Sequence, residues 1–222
     1  MTDAVGGDHS ILDPRRDGIQ DMVVSEARRL GLVLQEVEAS CLRRYLLLLV
    51  HWGRRLNLTG RPDVSTLVAR QLPDALVLSG MLREAVDGSR SAVDVGAGAG
   101  LVGVPLLVLQ PQLRLELVES SRKKCAFLRA ALHELGLHAA VLPLRVEEAC
   151  LAPRDLVVSR ATFAPAVWAE IGGALLADGG RLACFLAREE PPEAAGLVVE
   201  RLVDYELSDG SPRRVVLLKK SG

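Results

Sequence analysis

One short segment constrains the fold more than any other. Residues 91–100 read Ser-Ala-Val-Asp-Val-Gly-Ala-Gly-Ala-Gly. The run Ser91 to Val95 is a short apolar strand, and glycines follow it at once. Glycine lets the backbone approach a ligand closely, because no Cβ stands in the way. A helix following the loop, expected over Gly100 to Leu109, would turn its first N–H groups toward that ligand. Such a strand–loop–helix unit needs a parallel neighbour to bury the strand, so it implies a βαβ fold. The loop alone leaves the nucleotide open. Gly98-Ala-Gly100-Leu-Val-Gly103 also matches the dinucleotide fingerprint.

The flanking pattern completes the expectation. Strands are expected at Arg114 to Glu119, Ala140 to Leu144, Leu156 to Arg160 and Gly180 to Leu186, and helices at Arg122 to Leu135 and Pro165 to Leu176. This alternation predicts a mostly parallel sheet. Val198 to Leu207 and Arg213 to Lys219 are strand-like runs joined by Ser-Asp-Gly-Ser-Pro, a hairpin signal. A parallel sheet closed by an antiparallel hairpin is the methyltransferase variant of the doubly wound, Rossmann-like α/β fold. Ahead of it, residues 18–88 carry helical periodicity and no clear strand. Helices are expected over Ile19 to Leu30, over Glu36 to Leu56, and over Ser65 to Glu84 with an interruption at Pro73. The expected organisation is a disordered tail at 1–17, a helical cap at 18–88 and a cofactor domain at 89–222.

Composition narrows the class. Hydrophobic residues make up 49% and aromatics 3%, which favours α/β or helical architecture over a β-sandwich. The formal net charge of -1 shows no basic excess, so any nucleic-acid contact must come from a local patch. Cys41, Cys125, Cys150 and Cys184 lack metal-ligand spacing and read as small buried hydrophobes. His9, His51, His133 and His138 form no metal constellation, so no metal is expected. There is no secretory pattern, and the run Tyr45 to Val50 is too short to span a bilayer. A soluble, cytoplasmic protein without membrane association is expected.

Three features turn the nucleotide reading toward S-adenosylmethionine. Asp94 precedes the first glycine, where a carboxylate can reach an ammonium group. The glycines begin directly after the strand, in the register Gly96, Gly98, Gly100. The unit lies mid-chain behind helices. Glu119, about twenty residues on, is placed to accept hydrogen bonds from two ribose hydroxyls. The loop Leu144-Arg-Val-Glu-Glu148 lies at the carboxyl edge, where an adenine would rest, and Val146 could pack on its ring. Arg160 follows the fourth strand, where it can grip an anion or form a structural ion pair.

The chain resembles the RsmG family, also called GidB, the guanine-N7 methyltransferases of small-subunit ribosomal RNA. The resemblance runs from about Leu30 to Lys219. It rests on His51-Trp-Gly-Arg-Arg-Leu-Asn-Leu-Thr59, Asp94-Val-Gly-Ala-Gly-Ala-Gly-Leu-Val-Gly-Val-Pro105, Lys123-Lys-Cys-Ala-Phe-Leu-Arg129, Arg145-Val-Glu-Glu148 and Ser159-Arg-Ala161. It implies that Gly96, Leu101, Val146, Glu147 and Arg160 contact the cofactor, with Asp94, Gly98 and Glu119 completing the site. It also implies that the N-terminal helices help dock 16S ribosomal RNA or the small subunit, with Arg54, Asn57 and Arg188 as RNA contacts; oligomeric state is open in the sequence, with a monomer as the default expectation. Two segments depart from the family pattern, Gln71-Leu-Pro-Asp74 and Phe185-Leu-Ala-Arg-Glu189. A methyltransferase for a small molecule or another RNA is the alternative reading, and a cofactor-binding module without catalysis a third. Guanine N7 has a lone pair and no proton, so its methylation needs no general base, and no catalytic acid or base is expected. Accordingly, the chain has no Asn-Pro-Pro-Tyr motif and no Pro-Cys pair.

Overall fold

A computed structural model describes residues 18–56, 63–83 and 90–221, with the side chains of 54–56 left out. Helix α1 spans Gly18–Arg29 and α2 spans Glu36–Leu56. Gly31, at φ 77°, closes the first helix, as its sequence position predicts. The third helical stretch is broken, also as expected. A single turn α3, Val64–Thr66, runs into a π-type turn, Leu67–Gln71, and α4 restarts at Pro73–Arg83. Pro73 has no N–H to give the preceding turn, so it serves as the first residue of a new helix. The break has a consequence. Ala75 and Leu76 both donate to the Leu72 carbonyl, which leaves the Gln71 carbonyl free to be used elsewhere.

Seven strands form one sheet in the order β3-β2-β1-β4-β5-β7-β6. They are β1 Arg90–Val95, β2 Leu113–Val118, β3 Ala140–Leu142, β4 Arg154–Val158, β5 Leu176–Leu186, β6 Leu197–Glu206 and β7 Pro212–Lys220. The first five pair in parallel, and β7 runs antiparallel between β5 and β6. Helices α5 Gly103–Leu109, α6 Arg122–Leu135 and α7 Pro165–Ala174 make the crossovers. Ser121 caps α6 through the Lys124 N–H, and Gly136 ends it at φ 68°.

Most boundaries fall within two residues of the sequence reading, and two differ by more. Helix α5 starts at Gly103 and not at Gly100, because Gly100 sits at φ 79°, outside the helical region. A side chain there would also meet Val104 and Leu128. Strand β5 starts at Leu176, four residues early. Its register against β4 jumps between Arg154 and Leu156, and the irregularity takes up residues 177–180.

Alternation along the strands sorts side chains to two faces. Ala92, Leu115, Leu117, Leu156, Val158, Ala183, Val215 and Leu217 enter a large buried cluster with residues of α1, α2, α4, α5 and α6. Val93, Val95, Val118, Val157, Leu182, Cys184, Val216 and Leu218 face the other way, under Trp168 and Ala169 of α7. Burial on both faces explains why the strands read as continuous apolar runs. The first cluster is shared between the N-terminal helices and the sheet. Cys125 and Cys184 are buried as expected, whereas Cys150 is exposed on the β3–β4 connection, where only a 3-10 turn replaces a helix.

Tyr45 links α2 to the glycine loop. Its hydroxyl, fully buried, donates to the Ala99 carbonyl at 2.8 Å. Burial pushes its ionisation well above the usual tyrosine range, so it remains a donor. Replacing it as Tyr45→Phe should cost about 1–2 kcal/mol, the value of a buried hydrogen bond whose acceptor is left behind. Urea denaturation reads that loss; an unchanged midpoint would show that the contact carries no weight.

Candidate functional site

The carboxyl ends of β1, β2, β3 and β4 surround a cavity of about 640 Å³. It opens where the strand order reverses between β1 and β4, the usual ligand position in open α/β sheets. Its volume suits a nucleoside-sized ligand. The wall is built from four loops. Gly96, Ala97, Gly98, Ala99, Leu101 and Val102 follow β1; Glu119 and Ser120 follow β2; Leu144 to Glu147 follow β3; Arg160 to Phe163 follow β4.

The glycine loop is shaped by its neighbours. Gly96 has φ 68°, and a Cβ there would lie 2.5 Å from the Thr162 hydroxyl, so the β4 loop rests directly on it. Glu119 grips the loop from the next strand. One carboxylate oxygen accepts the Gly98 N–H at 2.8 Å and the other accepts the Ser121 N–H at 2.7 Å. Each oxygen keeps a further lone pair for a hydroxyl donor.

Asp94 is only 2% exposed and accepts the Gly103 N–H at 3.0 Å. Thus the first amide of α5 is spent on a carboxylate of the chain itself. Burial pushes the Asp94 pKa up to about 7, with Glu119 adding to the rise and the Gly103 N–H and Arg160 opposing it. A buried carboxylate in this condition favours a cationic ligand.

Arg160 is held from the helical region. Its Nη1 donates to the Gln71 carbonyl at 3.0 Å and to Asp74 Oδ2 at 2.9 Å, and Nη2 donates to Gln71 Oε1 at 2.6 Å. The Gln71 carbonyl is the one released by the Pro73 break. Asp74, 6% exposed, also accepts the Tyr205 hydroxyl from β6, whose ionisation is raised first by burial and then by Asp74. Arg160 thus forms a structural ion pair while also lining the cavity.

Comparison with known proteins follows the same lines. A sequence model of the GidB family, described as rRNA small subunit methyltransferase G, matches residues 38–197. A ribosomal RNA small subunit methyltransferase G from Anaeromyxobacter dehalogenans (strain 2CP-C) is 36% identical over 84% of this chain and 90% of its own. One from Xanthomonas axonopodis pv. citri is 38% identical over 72% of this chain and 75% of its own. The chain belongs to the GidB family. Solved structures agree on the fold. A Listeria monocytogenes protein described as a class I S-adenosylmethionine-dependent methyltransferase aligns at TM-score 0.60 and 10% identity, covering 96% of this chain and 89% of that one. TrmN from Thermus thermophilus aligns at TM-score 0.55 and 18% identity over 69% and 53% of the two chains.

In this GidB-family chain, Asp94, Gly96, Gly98, Leu101, Glu119, Val146, Glu147 and Arg160 all line one cavity. Arg188 does not. It lies exposed beyond β5, with its N–H bonded to the Glu189 side chain. The Arg54 side chain and Asn57 lie outside the described residues, as do Arg61 and the tail 1–17. Trp52 packs edge-on against Phe127 at 5.9 Å, so the motif's tryptophan is a packing residue. Of the other basic side chains, Arg122 and Lys123 are exposed, Lys124 lines the cavity, and Arg70 pairs with Asp209. Among the described residues no three His, Cys, Asp or Glu side chains are placed to hold a metal, and no helix is long and apolar enough to cross a membrane. The sequence reading missed Tyr45, Asp74, Tyr205, Thr162 and Phe163. Asp74 lies in the segment Gln71–Asp74 that departs from the family pattern, and Thr162 and Phe163 directly follow a strand expected to end at the ligand edge; Tyr45 and Tyr205 carried no such signal.

The raised Asp94 pKa gives a signed prediction. The folded chain keeps a proton from about pH 4 to about pH 7 that the unfolded chain has lost, so this group's contribution to stability falls as pH rises through that window. Above it the cost reaches about 4 kcal/mol. Asp94→Asn should therefore raise the melting temperature of the ligand-free protein at pH 8 and leave it little changed at pH 4. An equal shift at both pH values would remove Asp94 as the cause.

Proposed function

We infer that this protein transfers a methyl group from S-adenosylmethionine to N7 of a guanine in 16S ribosomal RNA. The observation that carries the reading is the family membership, joined to a cavity whose residues fit that cofactor. Three carboxylates, Asp94, Glu119 and Glu147, line it, and the apolar Val146 lies on the loop after β3. Asp94 holds the cationic ammonium end, which draws off the proton that burial keeps on the free carboxyl. Glu119 accepts from the ribose hydroxyls while keeping its hold on Gly98. Val146 and Glu147 take the adenine, Gly96, Gly98 and Leu101 shape the floor, and Arg160 closes the side toward the N-terminal helices.

When bound, the cofactor supplies an electrophilic sulfonium methyl. The chain's task is orientation. Guanine N7 attacks with its own lone pair, and no residue need move a proton. Rate then comes from holding donor and acceptor in line, a gain of about 7–11 kcal/mol at best. Among the described residues that line the cavity none is a histidine. Docking of RNA is assigned to the helical region of residues 18–88, including Arg54 and Asn57, and to Arg188. The protein works in the cytoplasm as a monomer on the small subunit.

Primer extension after N7-specific cleavage of 16S RNA tests this. A deletion strain should lose one N7-methylguanine signal, and the intact gene should restore it; an unchanged signal would sink the reading. Tritiated methyl transfer to small subunits, against small-molecule pools, separates the RNA substrate from the alternative.

Gly96→Ala tests the loop. It forces a Cβ to within 2.5 Å of Thr162 on a backbone at φ 68°. Calorimetry should show S-adenosylmethionine affinity reduced at least about tenfold, the equivalent of about 1.4 kcal/mol.

A further inference from the structure

Orientation of the acceptor base needs a surface to hold it, and the cavity wall offers one. Phe163 is the single aromatic among the described residues that line the cavity. Aromatics are only 3% of the chain, so its position is notable. It stands at the end of the loop that follows β4, on the same wall as Thr162, which rests on Gly96. Phe163 is only half-buried, unlike Tyr45, Phe127 and Trp168.

Its ring is held in a fixed plane. It stacks on Trp168 with centroids 5.7 Å apart and an angle of 5° between planes. Trp168 is itself anchored, since its Nε1 donates to the Ala183 carbonyl of β5 at 2.9 Å. The backbone carries a matching signal. Ala161, at φ 57°, is the one described residue other than glycine in the left-handed region. That conformation is strained for alanine, and it turns the chain between Arg160 and Phe163. Phe163 packs in part against the second hydrophobic cluster, and the surface it keeps exposed lines the cavity beside the glycine loop.

We propose that Phe163 is the stacking platform for the target guanine. The base, drawn out of its RNA stack, lies on the ring and so extends the Trp168–Phe163 pair by one layer. Bases that receive chemistry are commonly held between flat apolar groups after extrusion. Stacking fixes the base plane and leaves its edge free, which suits attack by N7 in the plane of the ring. The ring adds no charge and no proton acceptor. Phosphate contacts elsewhere would supply most of the RNA affinity, so Phe163 acts chiefly on the chemical step.

This rests on the guanine-N7 reading above, and the test separates the two. Full-length wild type, Phe163→Leu and Phe163→Tyr are compared with tritiated S-adenosylmethionine and undermethylated small subunits in single turnover. Phe163→Leu should lower the methyl-transfer rate about tenfold or more, the scale of one lost base–aromatic stack. Its S-adenosylmethionine affinity should stay within about twofold, and its subunit affinity within about threefold, because phosphate contacts carry most of that affinity and the base reaches the ring only after docking. Phe163→Tyr, which keeps the ring, should retain the rate within about threefold. A wild-type rate in Phe163→Leu, or a tyrosine variant as slow as the leucine one, overturns the proposal. So does a loss of cofactor affinity matching the loss of rate, which would assign the ring to the cofactor. Failure of the wild type to methylate the subunit would overturn the functional reading itself.

Discussion

The loop after β1 contains more backbone polar groups than its own turns can pair, and three side chains from three parts of the chain answer them. Glu119 takes the Gly98 N–H, Asp94 takes the Gly103 N–H, and Tyr45 gives its hydroxyl to the Ala99 carbonyl. An unpaired buried amide or carbonyl would cost about 1–3 kcal/mol. The loop is therefore set by β2, by β1 itself and by the N-terminal helices together. Its shape does not depend on glycine alone.

The same logic makes the helical region part of the site. Pro73 breaks a helix, the break frees the Gln71 carbonyl, and Arg160 takes it along with Asp74. Asp74 in turn accepts Tyr205 from the far edge of the sheet. A local backbone rule at one proline thus ends in the placement of a guanidinium on the cavity wall. Because each member is partly or fully buried, removing one partner exposes the others to an unsatisfied charge or dipole. The helices hold the cavity's shape as well as covering one face of the sheet.

The chemistry asks for little beyond this rigidity. A methyl transfer to a nitrogen lone pair needs no acid, base or metal, and the cavity wall presents carboxylates, amides and apolar surface. On the proposed reading, Asp94 is set for a cation before the cation arrives. Its burial is unfavourable for a charged carboxylate, and the ligand's positive charge would relieve it. On that reading, stability is traded for binding at one residue.

Sequence by itself determined the sheet, the crossovers, the hairpin and the cofactor loop. Each follows from local rules: apolar runs that must be buried on both faces, glycines where φ is positive, and a proline that cannot sit inside a helix. Those rules act over a few residues, so they are legible without a structure. They also sufficed to bring Asp94, Glu119, Val146 and Arg160 to one edge, because parallel strands align their carboxyl ends. The tertiary structure alone decided the contacts between distant segments. Tyr45 meeting Ala99, Asp74 meeting Arg160 and Tyr205, and Phe163 lying on Trp168 all depend on how layers pack. It also set Arg188 apart from the cavity and left Cys150 exposed, since strand ends and helix-free connections do not announce their surroundings. Pairings over such separations leave no periodic trace in the chain, and only the packed fold brings their partners within reach.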